Sequence, residues 1–288
     1  MLFLIGSIIA STAIMIIFRT LENFKIPLFQ AIVLNYFAAS ILGFLLVPVS
    51  FNFQQIINSQ WFWFAAVIGF MLIVMFYIIG TSTQKAGVTP TTVASKMSVI
   101  IPISFSIFYY AENVTVLKIF AILVALLAVV FSSLKKRDNT LNYKYIILPF
   151  ILFFGAGFLD TLVKIAQQEY LTQSSTALFS AVTFSFAAFF GLCITIIRKE
   201  KILTFFYRKT LLMGSLLGVA NFFSMYLVII ALSSGIFESS VVFGLNNTGI
   251  VALSVVSAII FFREKLAIIN WLGLLLTFIS IVMLTFIG

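Results

Sequence analysis

A lysine interrupts an apolar run at Ala94-Ser95-Lys96-Met97, and Asp160 and Lys164 stand four residues apart in another. A charged side chain at the centre of a bilayer costs about 2.5–3.5 kcal/mol even on the helix-insertion scale, so each is a candidate for handling a solute or an ion. Lys96 has Thr92 and Ser95 beside it and Thr91 and Ser98 nearby. A cation among hydroxyls suits an anionic or zwitterionic group. Pro102 deprives the Ser98 carbonyl of its helical partner and should bend the segment there. The alternative is a lysine that snorkels or pairs with Asp160. Asp160 and Lys164 share one helical face. Either they only neutralise each other so that their helix packs inward, or one leaves the pair when substrate or a proton arrives, which makes them candidate coupling residues. Asn246-Asn247-Thr248 interrupts the run from Val241 to Val256. Two amides at that depth need a neighbouring helix or a ligand. Tyr77, Asn221 and Tyr226 are further polar handles that could line a cavity. Glu238 suits the first turn of its helix as a cap, and Glu112 and Glu264 read as anchors at the ends of their runs.

Membrane-spanning helices must hold these residues. Hydrophobic residues make up 62% of the 288 and charged residues 9%, against about 25% charged in soluble domains. The mean hydropathy of +1.22 calls for a surface facing lipid. A helix needs roughly 20 residues to cross the bilayer core. Ten runs of that order can be placed, at Leu2–Phe18, Pro27–Val47, Gln60–Gly80, Thr89–Ala111, Val114–Leu134, Tyr145–Gln168, Thr172–Ile197, Tyr207–Leu232, Ile236–Phe262 and Leu266–Ile287. Membrane strands are about ten residues long and alternate apolar with polar. These runs are longer and apolar all round, so an all-α integral membrane protein is expected. Pro27 opens the second run, and Thr89-Pro90 reads as an N-cap followed by proline at the first helical position. Trp61, Trp63 and Trp271 lie near run starts, where interfacial rings are favoured. The first run lacks a basic leader and a small-residue cleavage site, and reads as a retained helix.

Several chemistries are disfavoured. The one cysteine, Cys193, allows no internal disulfide, and there is no histidine. That removes the commonest metal ligand and general base. Acidic residues do not cluster at metal spacing, and there is no P-loop. No metal or cofactor is expected, and an enzyme is not. The net charge of +9 is scattered over short loops, which argues against a nucleic-acid surface.

The runs repeat. A shift of 149 residues places Gly6 on Gly155, Ala65-x-x-x-Gly69 on Gly214-x-x-x-Gly218 and Tyr77 on Tyr226. A shift of 152 places Tyr109-Tyr110-Ala111-Glu112 on Phe261-Phe262-Arg263-Glu264, and Ser95-Lys96 on Asn247-Thr248. The organisation expected is residues 1–134 as one five-helix repeat, 135–144 as a basic connecting loop and 145–288 as the second repeat. With five crossings each, halves of one fold must lie in opposite orientations, a design of secondary transporters.

Ten spans in two halves, with Phe108-Tyr109-Tyr110-Ala111-Glu112-Asn113-Val114-Thr115 and Phe261-Phe262-Arg263-Glu264-Lys265-Leu266 closing the fourth helices, resemble the EamA family of the drug/metabolite transporter superfamily. Thr89-Pro90-Thr91-Thr92 is similar to the hydroxyl-rich start of that family's fourth helix. Ala111 and Asn113-Val114 depart from its pattern. The resemblance implies alternating-access transport of small metabolites, often export.

All of the 17 Lys and Arg residues except Lys96, Lys118 and Lys164 fall in odd-numbered loops. The positive-inside rule puts those loops in the cytoplasm and both termini outside, although many members of the family have cytoplasmic termini. The reading is a secondary transporter in the cell (inner) membrane, an exporter of a small polar or zwitterionic metabolite, with proton coupling open. Substrate contacts fall to Lys96, Ser95, Thr92, Tyr77, Asn246, Asn247, Tyr226 and Asn221, and coupling to Asp160 and Lys164. The partners expected are the metabolite and the lipid bilayer, with the protein a monomer or weak homodimer. The alternatives are a membrane-embedded enzyme acting on a lipid-linked substrate and a scaffold without flux.

Overall fold

A computed structural model describes residues 2–46, 53–109, 116–133, 136–137, 140–141, 147–171, 175–199, 202–233 and 239–287. The described residues are helical almost throughout. In chain order the helices are α1 (Leu2–Asn23), α2 (Leu28–Leu45), α3 (Phe53–Ile57), α4 (Phe62–Lys85), α5 (Val88–Met97), α6 (Ile100–Tyr109), α7 (Val116–Ser133), α8 (Ile147–Glu169), α9 (Thr176–Ile197), α10 (Arg208–Ser233), α11 (Ser239–Phe262) and α12 (Ile268–Ile287). A short 3-10 turn spans Ile202–Phe206, and Lys136–Arg137 pairs antiparallel with Thr140–Leu141 in the connecting segment.

Among the described residues six stretches are long and apolar enough to cross a bilayer: Leu2–Asn23, Leu28–Leu45, Phe62–Lys85, Leu178–Ile197, Arg208–Val228 and Leu245–Phe262. Ile147–Val163 and Ile268–Met283 are shorter apolar helices. The chain is therefore an all-α, multi-pass membrane protein. The expected fourth run, 89–111, is two helices, with a break at Ser98–Val99 and residues 110–111 outside the described set.

Helix ends follow local chemistry. Lys25, Lys199 and Arg263 follow the ends of α1, α9 and α11 with φ of 53°, 51° and 50°. That left-handed conformation turns the chain out of the helix, and a basic residue there complements the carbonyl end of the dipole. Of the expected interfacial tryptophans, Trp63 and Trp271 are exposed. Trp61 is instead buried edge-on against Phe179, at 5.8 Å between ring centres.

The contacts group into two compact units, each drawing on both halves of the sequence. The first holds Met1–Thr20, Ile78–Phe158 and Phe223–Gly288; the second holds Leu21–Tyr77 and Leu159–Phe222. In the second unit α2 packs antiparallel on α9: Gly43 meets Ala181, the Ser40 and Ser185 hydroxyls lie 2.7 Å apart, and Gly191 meets Val33. Two other glycines set the helix spacing. A Cβ on Gly69 of α4 would come within 2.6 Å of Phe186 and 3.0 Å of the Ala187 nitrogen on α9. One on Gly218 of α10 would come within 2.5 Å of the Asn35 carbonyl and 2.6 Å of Ala38 on α2. Bare glycine lets such backbones touch, which dispersion between lipid-embedded helices rewards. The Tyr36 hydroxyl, fully buried, donates to the Leu72 carbonyl at 3.0 Å.

In the first unit α7 lies antiparallel along α12. Gly273 fits against the 128–132 backbone, and the Ser280 hydroxyl donates to the Ala121 carbonyl at 3.0 Å. α5 packs against α7, α11 and α12. On α1, Ser7 donates to the Ser224 carbonyl at 2.8 Å, and Ile8 packs on Gly249 of α11. Gly157 of α8 sits on the Ser98 carbonyl and Ile101, at the break between α5 and α6.

Candidate functional site

The short helix α5 carries the densest polar load of the described helices of ten residues or more, and most of it is enclosed. Every residue from Ala86 to Ala94 is buried. Its hydroxyls are partly spent inside the protein: Thr91 donates to the Gly87 carbonyl at 2.8 Å and lies 2.7 Å from the Ser82 hydroxyl. Thr92 is fully buried, and its hydroxyl has no hydrogen-bond partner among the described residues. Ser95 and Lys96 are half-buried. Lys96 falls in the last turn of α5 rather than midway along a long helix, so the carbonyl end of the dipole favours its charge. Pro102 explains the break, because it offers no N–H to the Ser98 carbonyl. That carbonyl is not left free, however, as the sequence suggested: it accepts from the Ile101 N–H at 2.9 Å, while the Ser98 hydroxyl donates to Ser95 at 2.6 Å.

The start of α5 is held from a distance. The N-cap is Gly87, with φ of 115°, and not Thr89. Pro90 sits in the first turn, where a missing N–H costs nothing. The cap is the Glu264 carboxylate, which accepts the Val88 N–H at 2.6 Å, the Thr89 hydroxyl at 3.1 Å and the Thr89 N–H at 3.4 Å. Glu264 is thus a clamp between the end of α11 and the positive end of α5, more than an interface anchor. Around it lies a cavity of about 220 Å³. Its walls come from the ends of α1, α4, α7 and α11 and the starts of α5 and α12. Arg19 donates to the Gln84 carbonyl, and Gln84 donates back to Phe18 at 3.2 Å. Asn270 accepts the Ala267 N–H at 2.8 Å and donates to the Phe131 and Ser132 carbonyls at 3.0 and 3.2 Å, joining the start of α12 to the end of α7.

On α11, which packs against α5, Asn246 is buried and Asn247 and Thr248 are half-buried. The Asn246 Oδ1 has no hydrogen-bond partner among the described residues. Tyr226 is half-buried beside Phe223. The first unit therefore brings the helices of Lys96, Ser95 and Thr92 against that of Asn246 and Asn247. The remaining candidates belong to the second unit. Tyr77 packs edge-on against Phe29 at 5.9 Å, and the Arg198 guanidinium lies 5.7 Å from the Tyr77 ring and 5.3 Å from the Phe29 ring. Asn221 is buried. Asp160 is exposed, not drawn into a closed core. The exposed apolar stripe of α8 runs through Ile147, Ile151, Phe154 and Phe158, and at 3.6 residues per turn Asp160 stands roughly half a turn away from it. The Lys164 side chain, Glu112 and Glu238 lie outside the described residues, as does the side chain of Lys118.

Three features escaped the sequence reading. Glu264 and its partners on α5 are separated by 175 and 176 positions, beyond any local pattern. Arg198 carried only a loop charge as its signal. Asn35, an amide in the apolar run Ala31–Ala39, was legible and overlooked; it is fully buried, with no partner for its side-chain amide among the described residues. Among the described residues no three His, Cys, Asp or Glu side chains are placed to hold a metal ion.

No family model matches the chain. It is 25% identical over 288 residues to an uncharacterized protein of Haemophilus influenzae, covering 96% of this chain and 95% of that one. A protein of known crystal structure superposes with a TM-score of 0.65 over 99% of this chain and 96% of its own, at 14% identity. That likeness establishes a shared fold.

Proposed function

We propose that this chain is a secondary transporter of the EamA type, moving a small polar or zwitterionic metabolite out across the inner membrane by alternating access. In this reading ten spans, with α5 and α6 together as the fourth, form two inverted repeats, and both termini lie on the extracytoplasmic side. The observation that carries the proposal is the discontinuous α5–α6, with the start of α5 enclosed and Lys96 in its last turn, α5 packed on the helix that holds Asn246 and Asn247. Broken helices whose ends face a polar group are how transporters build a site without exposing backbone to lipid.

The contacts support the repeat in a way that alignment does not. Gly69 packs on Ala187; adding 149 to the first number and subtracting it from the second gives Gly218 on Ala38, which is also a contact. Ile8 packs on Gly249, and its counterpart is Gly157 at the α5–α6 break, within one residue of register. A relation that swaps the halves reproduces contacts between different helix pairs only if it is close to two-fold. With an odd number of crossings per half, such an axis lies in the membrane plane. The pairs α2 with α9, α5 with α11 and α7 with α12 each join a helix to its own counterpart. Asp160 stands off the exposed apolar stripe of its helix, a position that suits a proton carrier turned away from lipid.

The test is flux. Purified protein is screened for thermal stabilisation by polar and zwitterionic metabolites, and each hit is assayed for counterflow in proteoliposomes, with and without a proton gradient. Saturable movement of at least one hit, lost in Lys96→Met, is expected. A stabilising hit that is chemically converted rather than moved, or transport indifferent to Lys96→Met, overturns the proposal.

A further inference from the structure

The cavity beside Glu264 carries an unbalanced charge. Arg19, Arg263 and Lys265 line it, and Glu264 is the one carboxylate among its lining residues. That carboxylate is already engaged by two backbone N–H groups and a hydroxyl of α5. Among the described residues neither Arg263 nor Lys265 forms an ion pair, and both are exposed. Arg263 and Lys265 therefore converge on a space of about 220 Å³ whose one lining carboxylate is already occupied, with Arg19 in its wall. Apolar Phe262 and Leu266 share the wall, and Phe261 and Ile268 beside them are exposed, with 66% and 83% of their surface open. A ligand here meets cations at one end and hydrocarbon at the other. The converging loops are the first, third, fifth and ninth, which the charge count assigns together to the cytoplasm, where the leaflet is anionic.

We propose that this cavity binds the phosphate of an anionic phospholipid of the cytoplasmic leaflet, with Arg263 and Lys265 as its principal ligands and Arg19 behind them. The Glu264 clamp makes the site stiff: it fixes the α11–α12 corner that carries both cations on the start of α5. Headgroup binding would then brace the same corner from outside. The inference concerns a lipid site and stands whether or not the protein transports a metabolite.

The probe is phosphatidylglycerol. Full-length protein is taken from vesicles of phosphatidylcholine alone, or of phosphatidylcholine doped with phosphatidylglycerol, and bound lipid is counted by native mass spectrometry alongside thermal melting. Arg263→Gln with Lys265→Gln is the test variant, because both side chains are exposed and the Glu264 clamp stays intact. Its melting point in pure phosphatidylcholine should fall only slightly, through loss of the Arg263 charge at the carbonyl end of α11. Arg208→Gln with Lys209→Gln removes equal charge from the second unit as a control. Each cation near an anionic surface is worth about a fivefold change in binding, so the test variant should lose about thirtyfold in preference for phosphatidylglycerol, while the control retains it. Equal losses in both variants would reduce the effect to diffuse surface charge and overturn the site. So would a wild type without preference for the anionic lipid. Stabilisation by inorganic phosphate in place of the lipid would overturn the lipid as occupant.

Discussion

The runs on either side of a 152-residue shift, α5–α6 and α11, carry polar residues at matching sequence positions but fold differently. α5 ends at Met97 and α6 starts at Ile100, whereas α11 runs unbroken from Ser239 to Phe262. The position that matches Pro102 is Ser254. Serine supplies the backbone N–H that proline lacks, so the helix continues. The charge differs too: Lys96 sits where α11 has Thr248. A broken helix with a cation packs against an intact helix with amides. If the repeats are inverted, the substrate site is asymmetric, with one side supplying charge and the other neutral hydrogen-bonding groups.

The largest expected effect comes from copying the break. Ser254→Pro would remove one helical hydrogen bond and drive a ring into the preceding turn, at a place where the side chain is fully buried. The cost should be about 3 kcal/mol or more, read as a fall in melting temperature in detergent. Toleration of proline at 254 would mean that something other than Pro102 breaks α5 from α6, such as the close seat of Gly157 on the Ser98 carbonyl.

Next is the charge. Lys96→Met keeps length and apolar volume but deletes the cation. If Lys96 meets an anionic part of the substrate, losing one partner of a buried charge pair costs at least about 2 kcal/mol, or roughly thirtyfold in affinity. Binding of a stabilising metabolite, measured by calorimetry, checks this. An unchanged affinity would leave Lys96 as a helix-end charge satisfied by the α5 dipole, and the two runs would differ only in shape.

The clamp is weaker and acts on stability. Glu264→Ala removes the acceptor for three donors at the start of α5. Loss of a cap typically costs about 1 kcal/mol, and the lost charge at the dipole adds about 0.3–1 kcal/mol. Glu264→Gln, which keeps one acceptor oxygen, should lose about half as much. Equal melting points for all three proteins would mean that α5 is held by its packing on α7, α11 and α12 alone.

How much of this was legible in the sequence depends on the range of the interaction. The apolar runs, the bend before Pro102 and the small residues at Gly69 and Gly218 are local signals, and the helices follow them. The division into two units was not legible: α1, α4, α8 and α10 each pass from one unit to the other, and hydropathy carries nothing about partners across the chain. The same holds for Glu264, whose sequence neighbours are two cations and whose actual partners are amides of another helix. Trp61 misled because its position near a run start suggests the interface, while Phe179, far along the chain, covers it. Asp160 and Lys164 show the converse. Their spacing fixes a shared face but not which side of α8 that face is, and the exposed stripe through Phe154 and Phe158 puts Asp160 off it.

The smallest effect sharpens the comparison most. Asn247 is half-buried on α11, and its equivalent on α5 is Ser95. If Asn247 serves helix packing alone, Asn247→Leu forfeits an average interhelical hydrogen bond, about 0.6 kcal/mol. Melting should fall slightly, and substrate affinity should stay within a factor of about three. If the amide contacts substrate, the desolvated partner is stranded, and affinity should drop by tenfold or more with little change in melting. The two outcomes separate along different axes, stability against binding. A loss as large as that of Lys96→Met would make α11 an equal contributor to the site. A loss confined to stability would leave the broken helix as the chemical centre and α11 as the wall it is built against.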